Sequence, residues 1–352
     1  IFRPTTLLTT LALLTTMAGC GYANFTGDQG GSGAVSSSQT VATVSSQTVA
    51  ANGTDAVDIT VQLRDENGTN LTESGGTVTF DEPDRGTLSD VTDNQNGSYT
   101  TEYTPLGEPG TVTLNAKLDG EPLTSVDVDI QATDFYLAEN GVTIKCENAN
   151  VGDQGTINGN TYTKRDKNGI DTLITNGDGN TGWDLLPFTC TSGITNMGFI
   201  FEDLTSFNED IGSWDTSSVT SMQSMFENAS SFNADISNWD VSSVQLANLM
   251  FSGAAAFNQN IGAWNTGSFL NMQSMFKNAS AFNQDISGWD TSQVGSMNQL
   301  FNGAAAFDQD LSNWDPGCDA LGGPKTSKPT DFDTGAGFVG QTDKQPQWGT
   351  CN

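Results

Sequence analysis

Between residues 191 and 315 the sequence repeats every 25 residues, and this period limits what that part of the chain can fold into. Phe201, Phe226, Phe251, Phe276 and Phe301 hold one place in the unit. Phe207, Phe232, Phe257, Phe282 and Phe307 hold a second, and Trp214, Trp239, Trp264, Trp289 and Trp314 a third. A unit of this length cannot bury its apolar face alone, so copies must stack and bury it against one another. The aromatic columns, with Ile211, Ile236, Ile261, Ile286 and Leu311, therefore read as shared core rather than as a ladder for stacking sugars. An array of this kind presents a surface instead of enclosing a pocket.

Within one unit, Val219, Met222, Met225, Phe226 and Ala229 fall at helical spacing behind Asp215, Thr216 and Ser217, which can cap a helix. A short helix is expected there. Residues 233–238 then form an extended stretch expected to pair in parallel with its copies, about 4.8 Å apart. Asn208, Asn233, Asn258 and Asn283, with Asp308 in the same column, are expected to satisfy backbone groups at the strand edge. Glu209, Ala234, Gln259, Gln284 and Gln309 differ between units and mark positions where a binding face can vary.

The chain carries 42 acidic and 12 basic residues, a formal charge of −30, which repels nucleic acid and anionic lipid heads. It has no histidine, which removes the usual general base and every His-containing zinc site. The acids of the repeats fall in two columns. Asp210, Asp235, Asp285 and Asp310 form one; Asp215, Asp240, Asp290 and Asp315 form the other, with Asn260 and Asn265 substituting in the third unit. Lys277 is the only basic residue between 191 and 315. Stacked like charges repel unless screened, paired or bridged, so two readings stand: calcium between the columns, or capping and turn hydrogen bonds. No other cofactor is expected. Glycan cleavage needs two carboxylates facing across a cleft, and columns on an open surface do not supply them, so no enzyme is expected.

Residues 7–17 are apolar and end in Met17-Ala18-Gly19-Cys20, which reads as an export signal too short to span a bilayer. The Gly-Cys ending resembles a bacterial lipobox, although the positive region is reduced to Arg3 and the first residue is Ile1. That resemblance implies acylation of Cys20 and a membrane contact through its lipid. Four cysteines remain, which allow three pairings. Position favours Cys146 with Cys190 before the repeats and Cys318 with Cys351 after them; a four-thiolate metal site lacks C-x-x-C spacing.

The chain divides into a signal segment (1–20), a flexible tether (21–38), an alternating segment (39–133), a junction and N-terminal cap (134–190), the repeats (191–315) and a C-terminal cap (316–352). In 39–133, period-two runs separated by Glu66-Asn67-Gly68, Gly75-Gly76 and Asn96-Gly97 argue for an antiparallel β-sandwich. In the junction, Asp178-Gly179-Asn180 follows calcium-loop order without the rest of the loop and reads as a turn.

The runs V-D-I-T-V-Q-L-R-D-E-N-G at 57–68, G-T-V-T-F at 76–80 and G-T-V-T-L-N-A at 110–116 resemble the bacterial Ig-like domains of the invasin and intimin group. This implies a stalk module. The unit M-F-x-N-A-S-S-F-N-x-D-I-S-x-W-D-T-S-S-V-T-S-M resembles the leucine-rich-like repeat of BspA-type surface lipoproteins and the related mycoplasma lipoprotein repeat. Residues 142–155 and 346–351 are similar to the caps of such arrays. Together these resemblances imply a multidomain chain: an all-β Ig-like sandwich, then a short α/β leucine-rich-repeat-like solenoid with disulfide-closed caps. They also imply a lipid-anchored cell-envelope protein that binds an extracellular protein or glycan. A spacer or coat protein without a ligand is the alternative.

Overall fold

The computed structural model describes residues 34–131, 133–175, 182–315, 328–346 and 348. Cys20, Cys318, Cys351 and the turn at 178–180 lie outside these residues, and the tether is described only from residue 34. No helix among the described residues is long and apolar enough to cross a membrane.

The alternating runs become strands: β1 (Val41–Val44), β2 (Thr48–Ala50), β3 (Val57–Gln62), β4 (Val78–Phe80), β5 (Thr87–Leu88), β6 (Thr92–Asp93), β7 (Ser98–Thr104), β8 (Gly110–Leu118) and β9 (Glu121–Gln131). One sheet has the order β1-β3-β7-β5, with β6 also on β7, and the other has the order β2-β9-β8-β4. Successive side chains of a strand point to opposite faces. Val57 and Ile59 of the first sheet thus bury against Val112, Leu114, Val128 and Ile130 of the second. Tyr99 and Tyr103 bury their rings and donate their hydroxyls to the carbonyls of Gly76 and Arg85. The sandwich departs from the all-antiparallel expectation at one edge, where β2 pairs in parallel with β9.

A hairpin of β10 (Tyr136–Leu137) and β11 (Ile144–Lys145) joins the sandwich to the repeats. Tyr136 packs in the sandwich core and Leu137 N–H donates to Ala51 O, while Ile144 N–H donates to Ser213 O in the first repeat. Cys146 is bonded to Cys190. The bond ties β11 to β14 (Thr189–Cys190), which extends the pair β12 (Gln154–Ile157) and β13 (Asn160–Lys164). Closing a loop of 44 residues contributes about 4 kcal/mol in the chain-entropy treatment. Ile170 of α1 (Lys167–Thr175) and Trp183 and Leu186 of a 3₁₀ turn (Trp183–Phe188) join the core of the first repeat.

Lys145 and Asp215 form a buried joint beside this disulfide. Lys145 Nζ lies 3.0 Å from Asp215 Oδ1 and also donates to Ser217, while Ser192 Oγ donates to Asp215 Oδ2 at 2.6 Å. Burial alone would raise the Asp215 pKa, but the hydrogen bonds from Ser192 and Ser217 and the Lys145 ammonium outweigh it. The net effect holds the carboxyl below its usual range.

In the repeats, the residues at helical spacing are all buried, but they form no helix. A helical N–H bonds four residues back within its own segment. Here Met222, Ser224, Phe226 and Asn228 donate instead to Leu246, Asn248, Met250 and Ser252 of the next unit. The groups between them close tight turns, Met225 to Met222, Glu227 to Ser224 and Ala229 to Phe226. Left-handed backbone at Ser224 (φ 52°) and Asn228 (φ 59°) turns alternate peptide groups outward. The equivalents of Asn228 are Asp203, Gly253, Asn278 and Gly303, residue types that tolerate this conformation. The expectation of an α/β unit is therefore corrected to a coil of turns.

The parallel contacts are also displaced from 233–238. They are single bridges running Asn196, Ser221, Leu246, Asn271, Ser296. At 233–238 the asparagine side chain spans the gap between units: Asn208 Oδ1 accepts the Asn233 N–H, Asn233 that of Asn258, Asn258 that of Asn283, and Asn283 that of Asp308.

The core of the stack is aromatic. Within each unit the two phenylalanines lie face to face, 3.9 Å apart for Phe201 and Phe207 and 3.8 Å for Phe226 and Phe232. Between units the first column recurs at 5.4 to 5.7 Å. The five repeat tryptophans, from Trp214 to Trp314, are buried and donate their indole N–H to a carbonyl 28 residues earlier, as Trp239 does to Ile211 and Trp264 to Ile236. Rings turned edge-on end the stack: Trp183 against Phe207 at one end, Phe332 and Phe338 against Phe301 at the other.

Two outcomes are expected. Phe257→Ala, in the middle unit, lowers unfolding stability by about 3–5 kcal/mol in denaturant titrations, and a loss below about 1 kcal/mol contradicts the shared core. For Asp215, a folded pKa below the unfolded value of about 3.9 means its stabilisation is complete above that pH and lost as pH falls through the folded value. Asp215→Asn therefore lowers the thermal midpoint at neutral pH, with a gap from wild type that narrows below about pH 4. A gap independent of pH contradicts the joint.

Candidate binding surface

The acidic columns stand at turns, and their carboxylates bond to the backbone of those turns. Asp210, Asp235, Asp285 and Asp310 accept the N–H two residues on, from Gly212, Ser237, Ser287 and Ser312. Asp215, Asp240 and Asp290 do the same with Ser217, Ser242 and Ser292. Asn260 and Asn265 make the equivalent bonds to Gly262 and Gly267, which explains why asparagine can replace aspartate there. Asp315 ends the second column, and its backbone carbonyl accepts the Thr291 hydroxyl. The Ser287 and Ser312 bonds hold the carboxyls of Asp285 and Asp310 below their usual range, against mutual repulsion at Asp285. Among the described residues, no group of three or more Cys, Asp or Glu that could hold a metal ion is present.

The positions read as a variable face are largely taken up in stacking. Gln259, Gln284 and Gln309 donate their side-chain amides to the carbonyls of Asn233, Asn258 and Asn283. Variation reaches solvent on another side, along the bridge ladder. Phe199 (49% exposed), Leu246 (38%) and Leu270 (44%) are the exposed large apolar residues of the repeats. Sequence reasoning missed them, yet a signal was present. Each breaks a column filled mainly by polar residues, such as Asn196, Ser221, Asn271 and Ser296 around Leu246.

A cleft of about 380 Å³ opens where sandwich, hairpin and first repeats meet. Arg85 and Glu108 line it from the sandwich, Tyr136 and Glu139 from the hairpin, and Asp215 and Asp240 from the repeats. Its bases are already engaged: Lys145 with Asp215 and Glu147, Arg85 with the carbonyls of Glu108 and Thr111. Tyr136 donates its hydroxyl to Glu147 at 2.6 Å, and burial followed by that bond pushes its pKa well up. The tyrosine is thus a fixed structural donor.

Comparison with known proteins finds two families. Residues 183–281 and 260–318 match a family described as Mycoplasma protein of unknown function, DUF285. Residues 34–133 match the family described as invasin, domain 3. No curated protein matches the chain. Among solved structures, the Yersinia pseudotuberculosis adhesin InvE is 31% identical over 30% of this chain and 30% of its own, with a TM-score of 0.27. Invasin, a bacterial integrin-binding protein, is 27% identical over 29% and 21%, with a TM-score of 0.26. Yersinia pseudotuberculosis InvD is 26% identical over 28% and 29%, also with a TM-score of 0.26. The chain spans less than a third of the length of each of these structures.

Proposed function

We propose that this chain is a surface adhesin: a lipid-anchored cell-envelope protein in which the sandwich is a stalk and the repeat array presents the ligand-binding face. The observation that carries the reading is the joining, in one chain, of an invasin domain 3 match to a mycoplasma-type repeat array through a disulfide-tied hairpin bonded to both. This junction has backbone bonds, an ion pair and a disulfide that support a stalk carrying the array. Acylation at Cys20 would supply the anchor. The ligand is an extracellular protein or glycan, with no chemistry performed on it.

A second reading, a spacer or coat protein without a specific ligand, draws support from Gln259, Gln284 and Gln309, whose side chains bind the neighbouring unit. Protease shaving of intact cells, followed by binding of the chain to arrays of matrix proteins and glycans, separates the two. Release on shaving with saturable binding to one ligand class is expected; release without binding favours the spacer, and no release refutes surface display.

The acidic columns are assigned to turns in this reading and need no cation. Thermal midpoints in calcium and in chelator are expected to coincide, and a clear rise with calcium would give the columns a bound ion.

A further inference from the structure

Asparagine followed by glycine carries a chemistry of its own. The glycine amide nitrogen, unshielded by any Cβ, attacks the asparagine side-chain carbonyl when both groups are free to meet. Folding decides which pairs are free. Asn-Gly occurs with its asparagine at 52, 67, 96, 140, 158, 168, 176 and 302, and all but the pair at 176 lie among the described residues.

Three of these pairs have the side chain held in a turn. Asn52 Oδ1 accepts the Thr54 and Asp55 N–H groups, Asn96 Oδ1 that of Ser98, and Asn140 Oδ1 those of Val142 and Thr143. In three more the glycine N–H is taken: Gly68 donates to Asp65 O, Gly169 to Asp166 Oδ1 and Gly303 to Thr334 O. At Asn158 neither group is engaged among the described residues. Its side-chain amide makes no hydrogen bond, and the Gly159 N–H reaches no acceptor.

Asn158 and Gly159 form the two-residue turn between β12 and β13, both in left-handed backbone (φ 50° and 75°) as such a turn requires, and both exposed. β12 is an edge strand of its sheet, so this tip opens locally at small cost. The turn also touches the sandwich. Asn158 N–H donates to Asn52 O at 3.0 Å, and the side chain lies so close over Gly53 that a methyl group placed there would fall 1.9 Å from Asn158 Oδ1.

We propose that Asn158 is a site of spontaneous modification that loosens the contact between cap and sandwich. Hydroxide removes the Gly159 amide proton, the nitrogen bonds to Asn158 Cγ, and the Cγ–Nδ2 bond breaks to release ammonia, leaving a cyclic imide. Water then opens the ring. Cleavage between the nitrogen and Cγ gives aspartate; cleavage at the backbone carbonyl gives isoaspartate, in which the main chain runs through Cβ and Cγ. Either product carries a new negative charge. Isoaspartate also lengthens the backbone of a turn whose fixed length holds Ile157 opposite Asn160. The hairpin register, the seat of buried Ile157 and the bond to Asn52 are then lost together.

The test incubates the full chain at neutral and at mildly alkaline pH and follows each Asn-Gly pair by peptide mapping that separates aspartate from isoaspartate. Asn158 is expected to convert at least about tenfold faster than any of the other six described pairs, because its turn opens most readily. Its rate is expected to rise with pH, since the attacking amide must lose a proton. Conversion at Asn158 no faster than at Asn67 or Asn302, where the glycine N–H is bonded, would overturn the assignment. Hydrogen exchange then separates the chemistry from its consequence. Aged wild type is expected to lose protection at the paired residues Ile157 and Asn160, while Asn158→Gln, aged alongside and compared with its own fresh sample, keeps it. Isoaspartate at 158 with protection unchanged would overturn the loosening.

Discussion

The hydrogen bond that leaves one repeat for the next is the interaction on which this structure depends. Each unit turns alternate N–H groups outward, as at Met222, Ser224, Phe226 and Asn228, and none of these finds a partner in its own unit. A buried, unbonded amide is costly, so a single unit has no stable form and the array exists only as a stack. The paired phenylalanines, buried completely, fit the space that this backbone row leaves on its inner side. Stacking and backbone bonding therefore require one another.

The same row explains why both ends need special treatment. At the C-terminal end, Asp331 (φ 51°) and Gly335 (φ 77°) repeat the left-handed positions of Gln299 and Gly303, so the cap imitates one more unit edge. Asp308 takes the place of the ladder asparagine there and is held by Gln341 and Lys344. At the N-terminal end, the disulfide-bonded cap bonds to the first unit through Ile144 to Ser213 and Trp214 to Leu186, and Ile170, Trp183 and Leu186 pack on its core. The array is thus polar along its length, each unit's outward N–H groups donating toward the C-terminal end.

Much of this was legible in the sequence, for physical reasons. The period-two runs gave the sandwich because alternation has one meaning on a half-buried strand. The aromatic columns gave the core, and cysteine position gave the Cys146–Cys190 bond. The helix was misread because Val219, Met222, Met225, Phe226 and Ala229 have the spacing of an apolar helix face, and a stack of turns buries the same positions. A contrary clue lay in the column Asp203, Asn228, Gly253, Asn278 and Gly303, all residues suited to left-handed backbone, which a helix does not use.

Residue-resolved hydrogen exchange on the native chain tests the central claim most directly. The amides of Met222, Ser224, Phe226 and Asn228, with their counterparts in the other units, are predicted to exchange slowly and at similar rates, as groups released only when the stack opens. The N–H of Gln223, which reaches no acceptor among the described residues, is predicted to exchange fast. Continuous protection from Gln223 onward would mean a helix within the unit and would contradict the account.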